Sequence, residues 1–110
     1  MELPYSDRLR VDQAKIVDYL LSESKGRGKA TFFLQFGFRP EHWTVLAEAI
    51  KVQARGHPVV LAVDSPWGTR YSVDGPIDTP SGRQPRPRVR TVWILVVGSE
   101  QPRLITAHPV

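Results

Sequence analysis

The sequence predicts an α+β domain in which N-terminal helices pack on a four-stranded antiparallel β-meander. Three observations carry that expectation. Apolar residues recur at helical spacing through the first half of the chain. From residue 57 onward the runs become short, β-branched or alternating. The connections between those runs are turns or a proline-rich loop, so the strands are joined without crossover helices. A length of 110 residues fits one domain with one modest hydrophobic centre.

The elements follow in order. Asp12 is an N-cap candidate, with Val11 and Ile16 placed as a hydrophobic staple. Ala14, Val17 and Leu21, flanked by Ile16 and Leu20, give a helix at about 12–23 that stops before the Lys25–Lys29 turn. Phe32, Phe33 and Phe36 share one face of a second helix at about 28–36. Gly37 stands at its C′ position, and Phe38 is the apolar residue that folds back. Pro40 opens a third helix whose buried stripe is Trp43, Leu46, Ala47, Ile50 and Ala54, and which Gly56 ends. Strands are expected at His57–Val63, Thr69–Asp74, Arg88–Val97 and Arg103–His108. The third is apolar on both faces in its middle, which marks a central strand. Between the second and third lies a loop containing Pro76, Pro80, Pro85 and Pro87.

Composition narrows the function. Hydrophobic content of 41% and charged content of 24% are in the globular range. No apolar run approaches the roughly 20 residues that span a bilayer, so no membrane partner is expected. The first residues, MELPYSDRLRVD, are too polar for a signal peptide. The chain has no cysteine, which fits a reducing compartment and a cytoplasmic protein. His42, His57 and His108 lack metal-ligand spacing, so neither a metal nor a cofactor is expected. The formal charge of +4 is unevenly placed. Residues 1–80 balance, whereas 81–110 carry Arg83, Arg86, Arg88, Arg90 and Arg103 against Glu100 alone. Such a cluster suits a polyanion, nucleic acid first, or else solubilises a strand edge.

Candidate site residues come from this distribution. Lys25-Gly26-Arg27-Gly28-Lys29 precedes a helix but lacks the spacing of a nucleotide-binding P-loop, so it is either an anion cradle or a plain linker. Arg88 and Arg90 share a face of the central strand, with Arg70 on its neighbour and Arg103 opening the last strand. They either converge on one patch or sit separately at the solvent rim. Tyr71, Thr106 and His108 are candidates for proton transfer or substrate orientation. Trp43 and Trp93 fall in apolar patterns and are expected in the core. Trp67 lies in a turn, where it serves hairpin packing or offers a base a stacking platform.

Several segments together resemble a small bacterial family of unknown function. They are Lys15–Leu21, Gly28–Phe33, Phe36–Phe38, Gly68–Tyr71, Gly75–Arg83, Arg90–Trp93 and Pro102–Ala107. That resemblance spans about residues 10–109 and implies domain limits rather than an activity. The order of helices and meander, ending in Leu-Ile-Thr-Ala-His-Pro, is also similar to the Barnase–EndoU–colicin–RelE superfamily of ribonucleases and toxins. Its implication is a metal-independent endoribonuclease toxin that works on an open sheet face. Lys29, Arg70, Arg90 and Thr106 would form the site, aided by Tyr71 and His108, with Arg27, Arg88 and Arg103 on the anion. The first helix lacks the histidine many members carry there. The alternative is a non-catalytic module whose basic sheet binds RNA or a protein, such as an acidic antitoxin or immunity protein. A monomer or weak homodimer is expected, the homodimer pairing through the last strand. If Arg90 is structural, its predicted partner is Asp74 on the adjacent strand.

Overall fold

A computed structural model describes residues 1–26 and 28–110 of the chain. Helices occupy the first half and an antiparallel meander the second, in the strand order β1-β2-β3-β4. Helix α1 begins at Gln13–Lys15 and widens into a π-helical turn at Ile16–Leu20. It ends earlier than the apolar pattern implied, because the Leu21 amide donates to the Ile16 carbonyl, five residues back, and breaks the α ladder. Asp12 holds the N-cap backbone position, but its carboxylate accepts from Arg10 Nε at 2.7 Å instead of capping the helix.

Helix α2 spans Gly28–Gln35 and α3 spans Trp43–Gly56, with a short 3-10 turn at Pro40–His42 before it. Gly37 takes φ +98°, the left-handed conformation that glycine adopts without steric cost. Phe38 thereby folds back onto Phe33, ring centroids 6.1 Å apart, and is buried. Trp93 is fully buried, whereas Trp43 is half-buried against the core.

The strands are β1 (Val59–Ser65), β2 (Gly68–Pro76), β3 (Arg88–Val96) and β4 (Arg103–Pro109). β1 starts later than the apolar run, since His57 stays with α3, its Nδ1 2.8 Å from the Gln53 carbonyl. Gly68 has φ +155°, and a Cβ there would clash with the Leu95 carbonyl oxygen on β3, so the close approach of the two strands at the start of β2 needs glycine. Register divides the sheet into two faces. Tyr71–Trp93–Leu104, Val73–Thr91–Ala107 and Gly75–Val89 are cross-strand rows turned toward the helices, and their residues are buried. The opposite face carries the rows Val63–Arg70–Ile94–Arg103, Leu61–Ser72–Val92–Thr106 and Asp74–Arg90–His108. Apart from buried Ser72, those residues are exposed or half-buried.

β4 lies at the sheet edge, but its start is already bridged. The Arg10 amide donates to the Pro102 carbonyl and the Arg10 carbonyl accepts from the Leu104 amide, both at 2.9 Å. The proline-rich loop is tied down as well. Ser81 N–H donates to the Phe36 carbonyl, Arg86 pairs with Asp78, and the Arg83 guanidinium lies 5.2 Å over the Phe36 ring.

Candidate nucleic-acid interface on the open sheet face

Strand alternation puts Arg70, Arg90, Arg103, Thr106 and His108 on the open face together. Arg88, paired with Pro76, extends the same face at its exposed end. Tyr71 is one residue out of phase. It is buried on the helix side beside Trp93 and shares no face with the other candidates. Arg27 lies outside the described residues.

The open face is chemically uneven. At one end is a cleft of about 340 Å³ lined by Lys15, Trp67, Arg70, Arg103 and the apolar Ile94 and Leu104, among others. Arg70 and Arg103 flank Ile94 in one cross-strand row, so their Cα atoms stand roughly 10 Å apart, two strand spacings. Neither makes a salt bridge among the described residues. Trp67 is 77% exposed at the rim, so it is a free aromatic surface and does not pack in the hairpin.

At the other end the charge of Arg90 is already satisfied. Arg90 Nε and Nη2 donate to the two carboxylate oxygens of Asp74 at 2.7 and 2.9 Å, a bidentate fork. The pair is mostly buried, with side-chain exposures of 31% for Arg90 and 16% for Asp74. Hydrogen bonding from Arg90 first, then its charge, holds the Asp74 carboxyl below its ordinary range despite opposing burial. The same bond raises the Arg90 pKa. Because the folded carboxyl is depressed, the stability it contributes is complete above its unfolded pKa and is lost as pH falls through the folded one. Arg90→Ala is therefore expected to cost about 1–3 kcal/mol at neutral pH, between the exposed and buried limits. In acid the gap to the parent should narrow, as pH falls through the depressed folded pKa of Asp74 and the carboxylate that Arg90 pairs with is lost. Urea unfolding at the two pH values measures this; a gap independent of pH would show that the ion pair is not the cause.

Between the two ends, at the outer edge of β4, stands a third group. Lys29 Nζ donates to the Tyr19 hydroxyl at 3.0 Å. The Lys15 and Lys29 nitrogens each lie 5.1 Å from the Tyr19 ring centroid. The hydrogen bond from Lys29, then the nearby Thr106 hydroxyl, lowers the Tyr19 pKa from its usual value, with both lysine charges adding to this against burial. Thr106 Oγ1 is buried and makes no hydrogen bond of ordinary geometry among the described residues. Lys15 and Tyr19 do not stand out by composition or charge. The signal was present, since residues four apart on α1 meet on one face, here a lysine above a tyrosine.

A family model matches residues 2–110. The chain belongs to the family described as a domain of unknown function, DUF6883. Comparison with curated proteins and with solved structures finds no match. The α+β order expected of the chain agrees with the fold, and no described helix is long and apolar enough to cross a membrane.

Proposed function

We propose that this DUF6883 chain binds single-stranded RNA on the open face of its sheet. One observation carries the reading: Arg70 and Arg103, without carboxylate partners among the described residues, flank the cleft whose rim presents Trp67. Unpaired guanidiniums favour phosphate, and an exposed indole stacks any base irrespective of sequence. Duplex RNA keeps its bases stacked inward and cannot offer one to Trp67.

Metal-independent cleavage of the bound RNA is the second reading. The Tyr19–Lys29–Thr106 group beside the cleft favours it. Such a protein would act in the cytoplasm as a toxin-like ribonuclease, and an acidic antitoxin or immunity protein would be the partner of complementary charge. Two of the Arg90 donors are committed to Asp74, so both readings lean on Arg70 and Arg103 for the phosphate.

Tryptophan fluorescence tests the binding. Trp93 is buried and Trp43 half-buried, so Trp67 is the indole most open to a ligand. Titration with a short single-stranded oligoribonucleotide is expected to quench the emission in a salt-dependent way, and the matching duplex should quench little. No quenching and no mobility shift with the single strand at low salt would end the RNA reading.

A further inference from the structure

We infer that Tyr19, held between Lys29 and Thr106 at the edge of β4, is the group that takes the proton from a ribose 2′-hydroxyl on this face. The inference rests on the RNA-binding reading and adds the reacting residue to it.

Position comes first. Thr106 faces the open side of the sheet, in register with Val92 and Ser72. Helices α1 and α2 both pack against β4, and the Thr106 hydroxyl, buried on that strand, is one of the groups that lower the Tyr19 pKa. Leu104 and Ile105, just before Thr106, line the cleft that holds Arg70 and Arg103. Lys15 belongs to both places, since it lines the cleft and sits against the Tyr19 ring. A phosphodiester anchored on Arg70 and Arg103 would therefore run along β4 toward the phenol. From Arg103 to His108 that path is roughly 15 Å at the usual strand rise, room for two or three nucleotides.

Charge comes second. Lys15 and Lys29 both stand at the phenol ring, and Lys29 also donates to its oxygen. This arrangement stabilises the phenolate, which is the form able to accept a proton. Thr106 Oγ1 is buried without a conventional hydrogen-bond partner among the described residues. The Tyr19 phenolate is the neighbouring group of the right chemistry to accept from it.

The step balances without an added reagent. The Tyr19 phenolate removes the 2′-hydroxyl proton, the O2′–P bond forms, and the P–O5′ bond breaks. The electron pair leaves with O5′, which takes a proton from solvent. Tyr19 returns its proton to solvent. The products are a 2′,3′-cyclic phosphate and a 5′-hydroxyl end. Arg70 and Arg103 hold the phosphate, where fixed positive charge stabilises the developing transition state.

Tyr19→Phe isolates the proposal, because it removes one oxygen and keeps the ring between the two lysines. Cleavage of a fluorescent single-stranded oligoribonucleotide in EDTA is expected to fall about a hundredfold or more, with affinity within about twofold of the parent. The parent rate should rise with pH to a plateau, and Lys29→Met should move that inflection upward. A purely structural role for Tyr19 would leave the shape of the profile unchanged in every variant that folds. Ultraviolet difference titration of the parent against Tyr19→Phe reads the ionisation directly. A parent that binds the oligonucleotide without cutting it would overturn the inference and leave the binding reading standing. So would a Tyr19→Phe chain that cuts as fast as the parent. A parent that does not bind would remove both.

Discussion

Gln53→Leu is expected to lower the stability of this fold by about 2–4 kcal/mol, the largest loss among changes that leave no cavity. Gln53 is 2% exposed and faces the sheet from α3. Its Nε2 donates to the Val73 and Val89 carbonyls, both at 3.0 Å, one on β2 and one on β3. Its Oε1 accepts from Thr91 Oγ1 at 2.9 Å, and that oxygen in turn accepts from Trp93 Nε1 at 2.9 Å. One amide thus ties a helix to the two inner strands and seats the largest core side chain. Leucine fills nearly the same volume, so packing is kept while the Thr91 hydroxyl loses its buried acceptor and two carbonyls lose a donor. An orphaned buried donor costs about 1–3 kcal/mol, and each carbonyl, which keeps a second lone pair, adds less. In a domain of this size the loss corresponds to a Tm lower by roughly 10–25 °C. Thr91→Val should cost less, since it strands chiefly the Trp93 indole N–H. The two changes should combine non-additively, as members of one network do. A Tm within about 3 °C of the parent for Gln53→Leu would show that the network is dispensable.

That glutamine also shows where sequence reading stopped. The stripe of α3 was legible as Leu46, Ala47, Ile50 and Ala54, all buried. Gln53 sits inside that stripe, three residues after Ile50. A polar side chain on an apolar face was the available sign of a buried network, but its partners lie on strands that only the tertiary fold supplies. The strands themselves were readable because period two and the breakers agree. The Asp74–Arg90 pairing follows from hairpin register alone. Strand period also separates Tyr71 from Arg70, so Tyr71 could have been set apart from the basic face by counting. The end of α1 was not readable. Its apolar pattern runs on through Leu21, while the backbone closes a π-helical turn whose hydrogen bonding the pattern does not encode. The same turn carries Tyr19, so the least predictable backbone holds the residue on which the reaction would depend.

Arg70→Glu combined with Arg103→Glu is expected to abolish RNA binding, raising Kd by at least about a hundredfold at moderate salt. Each guanidinium that holds one phosphate contributes about 0.7 to the slope of log affinity against log salt for a single strand. Arg70→Ala and Arg103→Ala should therefore each flatten that slope by about this amount, and the double alanine variant by about twice as much. Stability should hardly change. Both side chains are on exposed residues and neither is in a salt bridge among the described residues, so each substitution should stay within about 0.5 kcal/mol of the parent. Arg83→Glu is the control for bulk charge. It reverses the same kind of charge, but Arg83 stands over Phe36 beside the α2 terminus and does not line the cleft. If binding follows net charge alone, Arg83→Glu should weaken it as much as Arg70→Glu does. If the row Arg70–Ile94–Arg103 is the phosphate-holding surface, Arg83→Glu should cost only a few-fold, through long-range attraction that salt screens. Equal weakening by the two single reversals would remove the cleft as the binding site, whatever the affinity of the parent chain.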